Sequence, residues 1–240
     1  MFQFSLARKI IISIILILGL GYASAQNSKI AIISLEDTTL VNQHVGLTMF
    51  GNFTDTLHLN IAVSQHIEQQ LLKYLSQNYD VSIIKRLPDS VYYPKKSIFG
   101  TVGGLSKAVK GWISSVKNDY NFVIFLGNTS IPREWNILVP ENTSGLYTRG
   151  RHSGFYTTIT FFAYRTADLQ RIEYFLPPSK IITPLKKFEF PADNKSFTAE
   201  MLVTIKDGFI NHIDSVVEYF LTKTYLVPQN QLDEIKAKNS

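Results

Sequence analysis

The segment at residues 122–126 constrains the fold most, because every one of its side chains is apolar. A strand that is exposed on one face alternates apolar and polar side chains, whereas a run without alternation is typical of a strand buried on both faces. Both faces of a sheet are buried when helices pack on each side of it. The run therefore predicts a central strand of an α/β domain, and Gly127 is expected to end this strand.

Strand and helix patterns alternate along the rest of the chain. Runs rich in β-branched residues predict strands over residues 29–35 and 79–84. Apolar side chains at intervals of three or four residues predict helices over residues 62–77, 105–116 and 197–223. This order predicts a three-layer α/β domain with a mainly parallel sheet and a long C-terminal helix.

The helix predicted over residues 105–116 has the clearest amphipathic pattern. Its apolar face is made by Leu105, Ala108, Val109, Trp112, Ile113 and Val116. Because Trp112 occupies the middle of this face, we expect it to be buried against the sheet and to anchor the helix.

Two segments have the pattern of antiparallel hairpins. Apolar residues alternate with polar ones on both sides of Gly51, which predicts a β-hairpin insertion within residues 36–60. Residues 155–164 and 169–175 are aromatic and β-branched runs joined by a short polar turn. They predict an antiparallel hairpin added to the parallel part of the sheet.

Residues 1–25 have the pattern of a secretory signal peptide. Arg8 and Lys9 precede an apolar segment, and the small side chains of residues 23–25 offer a site to signal peptidase. The apolar segment falls short of the roughly 20 residues that span a bilayer. We therefore expect cleavage before Gln26 and no membrane span afterwards, with an uncleaved anchor as the alternative.

The rest of the chain has the length of one domain. No internal repeat or interdomain linker interrupts residues 26–226, so they are expected to form a single α/β domain. Residues 227–240 are mostly polar and are expected to fray as a tail.

The composition excludes several classes of function. The 240 residues include no cysteine, so disulfides, thiolate zinc sites and cysteine nucleophiles are impossible. An exported domain without disulfides favours a bacterial periplasmic or secreted location. The formal net charge of +5 is mild, and no lysine or arginine run exceeds two residues, so nucleic acid is not indicated as a partner.

The common catalytic motifs are missing. The sequence has no Gly-x-Ser-x-Gly elbow, Walker loop, dinucleotide-binding glycine motif or His-Glu-x-x-His. Its histidines show no pair at metal-ligand spacing. We therefore predict neither a cofactor nor a metal site.

The segment 127–154 is the main candidate for a ligand site. It has little regular pattern and begins at the carboxyl end of the predicted central strand, where open α/β sheets bind ligands. Arg149, Arg151 and His152 lie there among glycines, and Arg133 could supply a second wall. Paired guanidinium groups favour an anionic or peptide ligand. A solvated hairpin entry is the alternative interpretation.

Glu36 and Asp37, called the acidic rim below, follow the first predicted strand. In a doubly wound sheet they would lie at the same edge as the 127–154 loop. A carboxylate pair there could serve acid–base chemistry or bind a cation. Capping and turn formation explain the same residues without a ligand.

Four segments resemble a group of bacterial periplasmic α/β domains. They are the opening strand 29–35, the helix-to-strand passage 75–86, the strand at 119–127 and the hairpin 161–171. The group includes domains of the curli-secretion lipoprotein, of the penicillin-binding-protein activator lipoproteins and of the N-terminal part of the Tol-system propeller protein. The chain departs from the group by lacking a lipid-attachment cysteine, by Ala167 in place of a turn glycine and by the insertion. The resemblance implies a non-catalytic docking or assembly module.

Together these features favour an exported, soluble envelope protein that binds another envelope component without catalysis. The alternative is a periplasmic enzyme or small-anion binder that uses the 127–154 loop and the acidic rim. Convergence of these side chains in one pocket would favour the alternative.

Overall fold

The fold combines two β-sheets with α-helices. The computed structural model describes residues 28–34, 38–46, 51–88, 91, 106–128, 139–140, 142–149, 152–172, 176–185 and 194–238. The strands are β1 Lys29–Ser34, β2 Thr39–Val45, β3 Phe53–Thr56, β4 Asp80–Ile84, β5 Phe122–Asn128, β6 Thr143–Arg149, β7 His152–Thr157, β8 Ile159–Arg165, β9 Arg171–Ile172 and β10 Ile182–Pro184. The helices are α1 Val63–Leu75, α2 Lys107–Ser115, α3 Pro178–Ile181, α4 Ala199–Lys223 and α5 Gln229–Lys238.

Both sheets are five-stranded and mixed. The first sheet has the order β4-β1-β5-β8-β9, in which β1 pairs in parallel with β4 and β5, and β8 pairs antiparallel with β5 and β9. The second sheet has the order β10-β7-β6-β2-β3, in which only β2 and β6 are parallel among the described strands. The mixed α/β class and the long C-terminal helix are confirmed. One mainly parallel sheet in a three-layer domain is not confirmed, because five of the eight described pairings are antiparallel.

The division into two sheets occurs at Thr158. The aromatic run at residues 155–164, expected to be one strand, is split between β7 in the second sheet and β8 in the first. The Thr158 hydroxyl donates to the carbonyl oxygen of Thr143 at 2.8 Å, and the Thr158 N–H donates to the same oxygen at 3.3 Å. These bonds stabilise the crossing from one sheet to the other. The predicted hairpin is confirmed between β8 and β9.

The predicted insertion contributes more than an edge hairpin. Strands β2 and β3 pair antiparallel, as the pattern around Gly51 predicts. Strand β2 also pairs in parallel with β6 over seven residue pairs. The insertion therefore supplies two of the five strands of the second sheet.

Helices α1, α2 and α4 confirm the three predicted helices, with ends that differ by one or two residues at most sites. Helix α5 lies within residues 227–240, which the sequence assigns to a fraying polar tail. Leu232 is 1% exposed and Ile235 is 3% exposed, and both belong to the main core. These two side chains lie three residues apart on one side of a helix, so the apolar face is narrow. In a mostly polar segment, so narrow a face does not produce a recognisable helical pattern.

Three apolar clusters lie on the faces of the sheets. The main core joins one face of each sheet to α1, α4 and α5. A second cluster packs α2 on the other face of the first sheet, and a third lies on the other face of the second sheet. In β1, Ile30 and Ile32 face the main core while Ala31 and Ile33 face α2. Strands buried on both faces are thus confirmed for the first sheet.

Trp112 packs at the edge of the α2 cluster and not at its centre. Val109 and Ile113 are fully buried, whereas Trp112 is half-buried and its ring centroid lies 6.0 Å from that of Phe125. The anchoring role expected for Trp112 therefore falls mainly to Val109 and Ile113.

Candidate functional site

Residues of α1, of the segment just before it and of α4 line an open groove. The groove has a volume of about 260 Å³. Its lining residues are Asn60, Ile61, Ala62, Gln65, His66, Gln69, Lys206 and Ile210. This surface is called the α1–α4 groove below.

The amphipathic pattern of α1 places its polar residues in the groove. Val63, Ile67 and Leu71 are buried in the main core, so Gln65 and His66 lie on the other side of the helix. No side chain caps the first turn of α1, and no acidic residue lies there. The partial positive charge at this end of the helix is therefore not compensated locally.

A histidine–aspartate pair connects the two helices beside the groove. His66 Nε2 lies 2.7 Å from Asp214 Oδ1, and the side chains are 21% and 28% exposed. Because the carboxylate accepts, Nε2 carries the proton, and in the neutral imidazole Nδ1 is left without one. The pair fixes the orientation of the His66 ring at the groove wall.

A second contact of the same kind follows along the helices. The Tyr74 hydroxyl donates to Glu218 Oε1 at 3.1 Å. Burial raises the pKa of the Tyr74 phenol above its usual range, and the Glu218 carboxylate raises it further. The phenol is therefore a hydrogen-bond donor at neutral pH. Side chains of α1 thus contact two of the four acidic residues of α4, Asp214 and Glu218.

Lys206 supplies the charge that the groove does not neutralise. Within the described part of the chain it has no ion pair and no side-chain hydrogen bond. The amides of Asn60, Gln65 and Gln69 offer further donors and acceptors along the same surface. The groove can therefore accept a carboxylate or another anionic group. Its lining contains no serine, threonine or cysteine that could act as a nucleophile.

Glu68 of α1 contacts the residues at the carboxyl ends of β1 and β4 and does not line the groove. Ser34 Oγ donates to its Oε1 at 2.7 Å, and Lys85 Nζ donates to its Oε2. The Glu68 side chain is 5% exposed. Both carboxylate oxygens have partners, so Glu68 is not available as a general base. This cluster fastens α1 to the ends of β1 and β4.

Most of the site residues predicted from the sequence lie outside the described residues. These are Glu36, Asp37, Arg133 and Arg151. Arg149 is exposed at the end of β6, where it pairs in register with His152, the first residue of β7. Within the 127–154 segment, the described residues 143–149 and 152–154 belong to strands β6 and β7.

Arg149 lies far from the described residue that follows the acidic rim. Strands β2 and β6 pair in parallel from Thr39 with Thr143 to Val45 with Arg149. Thr38, next to the acidic rim, bonds to the carbonyl oxygen of Asn142 at the start of β6. Six residues of strand separate the two ends, which corresponds to about 20 Å. The structure does not bring Arg149 to Thr38.

The groove residues could not be identified from the sequence. Helical spacing places His66 on the solvent-exposed face of α1, but its partner Asp214 lies 148 residues away in the sequence. Lys206 is one of several lysines on amphipathic helices, and no spacing distinguishes it. Their proximity is a consequence of the packing of α1 against α4.

The described residues contain no group of three or more His, Asp and Glu side chains arranged to hold a metal ion. None of the helices in the described ranges has both the length and the apolar character needed to cross a membrane. No protein-family model, no curated protein and no solved structure matches the chain.

Proposed function

We propose that the protein is an exported, soluble protein of the bacterial envelope, periplasmic or secreted, that acts as a non-catalytic binding or assembly module. The α1–α4 groove is its contact site. The observation that carries this proposal is the groove itself, an open surface of mixed polar and apolar residues with a lysine that forms no ion pair with a described carboxylate.

The partner segment carries a carboxylate. Lys206 attracts a negative charge, and the groove amides can hydrogen-bond to the partner's backbone. Ile61, Ala62 and Ile210 provide the apolar contact that a protein segment requires. The His66–Asp214 pair keeps the groove wall in one arrangement, which lowers the entropy cost of binding.

Export and the envelope location are supported by the signal-peptide pattern of residues 1–25. The resemblance to periplasmic docking domains supports a binding role. N-terminal sequencing of the exported protein is expected to begin at Gln26. An intact Met1 terminus in membrane fractions would contradict export by signal cleavage.

The alternative function, a periplasmic enzyme or small-anion binder at the 127–154 loop, has less support. It requires the loop arginines and the acidic rim in one pocket. Arg149 and Thr38 lie at opposite ends of the paired strands β2 and β6. The groove, in contrast, is formed entirely by described residues.

Site-directed photo-crosslinking in the native envelope tests the groove. A photoreactive amino acid replaces Gln69, which is exposed in the groove, or Lys110, which is exposed on α2 across the first sheet. We expect a specific crosslinked protein from position 69 alone, joined through a peptide that contains Asp or Glu.

A charge reversal supplies the control. Lys206→Glu places a negative charge next to the carboxylate of the partner segment and should abolish the crosslink from position 69. Lys107→Glu makes the same change on an exposed lysine of α2 and should leave it intact. A crosslink that is unaffected by Lys206→Glu, or no groove-specific crosslink at all, would contradict the proposed contact site.

A further inference from the structure

Two lysine side chains contact the ring of Tyr219 on a different part of the surface. Lys180 Nζ lies 5.9 Å from the ring centroid, and Lys223 Nζ lies 5.6 Å from it. Lys180 belongs to α3, whereas Tyr219 and Lys223 lie one turn apart in α4. This group is called the Lys180–Tyr219–Lys223 cluster below.

Packing of the neighbouring residues fixes the cluster. Ile181, next to Lys180, is 4% exposed and anchors α3. Thr183 Oγ1 lies 2.8 Å from His212 Nδ1, which ties the following strand β10 to α4. Phe220 and Leu221 hold the last turns of α4 in the main core. The fold therefore brings α3 and the end of α4 together, and contacts with the Tyr219 ring complete the cluster.

The positive charge of the cluster has no described counter-charge. Neither Lys180 nor Lys223 forms an ion pair with a described carboxylate, and the Tyr219 hydroxyl has no hydrogen-bond partner among the described residues. Glu218, the nearest acidic residue in the sequence of α4, accepts a hydrogen bond from Tyr74 of α1. Attraction to the Tyr219 ring holds the ammonium groups but does not cancel their charge.

We infer that the Lys180–Tyr219–Lys223 cluster binds a phosphate group. Two ammonium groups match the two negative charges that a phosphomonoester carries near neutral pH. The ammonium groups and the Tyr219 hydroxyl are hydrogen-bond donors suited to its terminal oxygens. A carboxylate would use only half of this charge, since it brings one negative charge and two oxygens.

The phosphate group could belong to a free phosphomonoester or to the headgroup of an envelope lipid. The chemistry of recognition is the same for both sources. This site is separate from the α1–α4 groove and does not depend on the proposed function of the groove.

Nuclear magnetic resonance of the full-length mature protein with labelled tyrosine tests the inference. Inorganic phosphate and acetate are titrated separately at constant ionic strength, and the Tyr219 ring signals are followed. We expect saturable shifts with phosphate and about tenfold weaker binding of acetate, equivalent to one lost charge-assisted contact.

Three variants connect the binding to the cluster. Lys180→Gln with Lys223→Gln should weaken phosphate binding about tenfold or more. Lys107→Gln with Lys110→Gln removes the same charge from exposed positions on α2 and should leave the affinity unchanged. Tyr219→Phe keeps the ring and its packing and removes only the hydroxyl. Weaker phosphate binding by this variant would show that the hydroxyl contributes, even if the double variant folded poorly.

Vesicles of phosphatidylcholine with and without phosphatidic acid distinguish the two sources. Binding only to vesicles that contain phosphatidic acid, lost in the cluster double variant, identifies a lipid headgroup. Binding of inorganic phosphate in solution without vesicle binding identifies a free phosphomonoester. No phosphate binding in either form, equal binding by the cluster double variant, or acetate binding as tight as that of phosphate would overturn the inference.

Discussion

At the scale of single residues, the burial of His212 makes the stability of the fold depend on pH. It lies on α4 with 2% of its surface exposed, and its Nε2 has no hydrogen-bond partner among the described residues. Burial lowers the pKa of His212 to about 3, and the nearby Lys180 ammonium acts in the same direction. The imidazole therefore stays neutral inside the folded protein at neutral and mildly acidic pH.

The folded protein should lose stability as the pH falls. Below the unfolded pKa of about 6.5, the unfolded chain binds a proton at His212 that the folded protein does not bind until about pH 3. Lowering the pH from about 7 to about 5 should therefore reduce the free energy of unfolding by roughly 2 kcal/mol through His212. Urea unfolding of the original protein and of the His212→Gln variant at both pH values measures this difference. The variant should show the smaller pH dependence, and equal pH dependence in both proteins would contradict the assignment.

Alanine substitutions at two neighbouring residues of α2 distinguish the effect of burial on stability from the effect of side-chain size. Ile113 is fully buried, so Ile113→Ala should reduce the free energy of unfolding by about 2–5 kcal/mol. Trp112 is larger but only half-buried, so Trp112→Ala should cost less than the roughly 3–5 kcal/mol of a buried tryptophan. Denaturant unfolding of both variants gives the comparison. A larger loss for Trp112→Ala than for Ile113→Ala would restore tryptophan as the anchor of α2.

At the scale of elements, glycines in two helices have opposite surroundings. A Cβ added at Gly111 in α2 would meet no atom within 4 Å, whereas a Cβ at Gly208 in α4 would overlap the ring of Phe155 in β7. Gly111→Ala should therefore stabilise the protein by about 0.5–1 kcal/mol, as expected for a helix interior. Gly208→Ala should destabilise it by about 1–3 kcal/mol, because the buried Phe155 ring must move.

Thermal unfolding of the two alanine variants tests this difference. Helix propensity alone predicts that both substitutions stabilise the protein by similar amounts. A stabilised Gly208→Ala variant would therefore show that α4 does not approach β7 as closely as the structure indicates.

The elements themselves were largely predictable, whereas their assembly was not. The helical spacing of residues 62–77 predicts α1 because a repeat of three or four residues directly reflects one buried face. The aromatic run at residues 155–164 predicts strand but not the crossing at Thr158. Alternation records which side chains are buried and carries no information on which sheet buries them. The candidate site was less predictable still, since the groove depends on contacts between α1 and α4.

At the scale of the whole molecule, helix α5 closes the main core. Val227 is fully buried just before α5, and Leu232 and Ile235 continue the same apolar surface. Asn78, just after α1, donates to Gln231 Oε1 at 2.7 Å. Helix α5 is therefore joined to α1 by apolar and polar contacts, and the chain requires it for a closed core.

Removal of α5 should destabilise the entire protein. Ending the chain after Pro228 exposes the core surface that Leu232 and Ile235 cover, and burial of two such side chains contributes about 3–6 kcal/mol. The full-length variant with Leu232→Ala and Ile235→Ala should lose a similar amount, because it keeps the polar residues of α5 but not its apolar contacts. Cooperative unfolding followed by circular dichroism measures both. If the truncated chain unfolded at the same denaturant concentration as the full-length protein, residues 229–238 would be the fraying tail that their polar composition indicates.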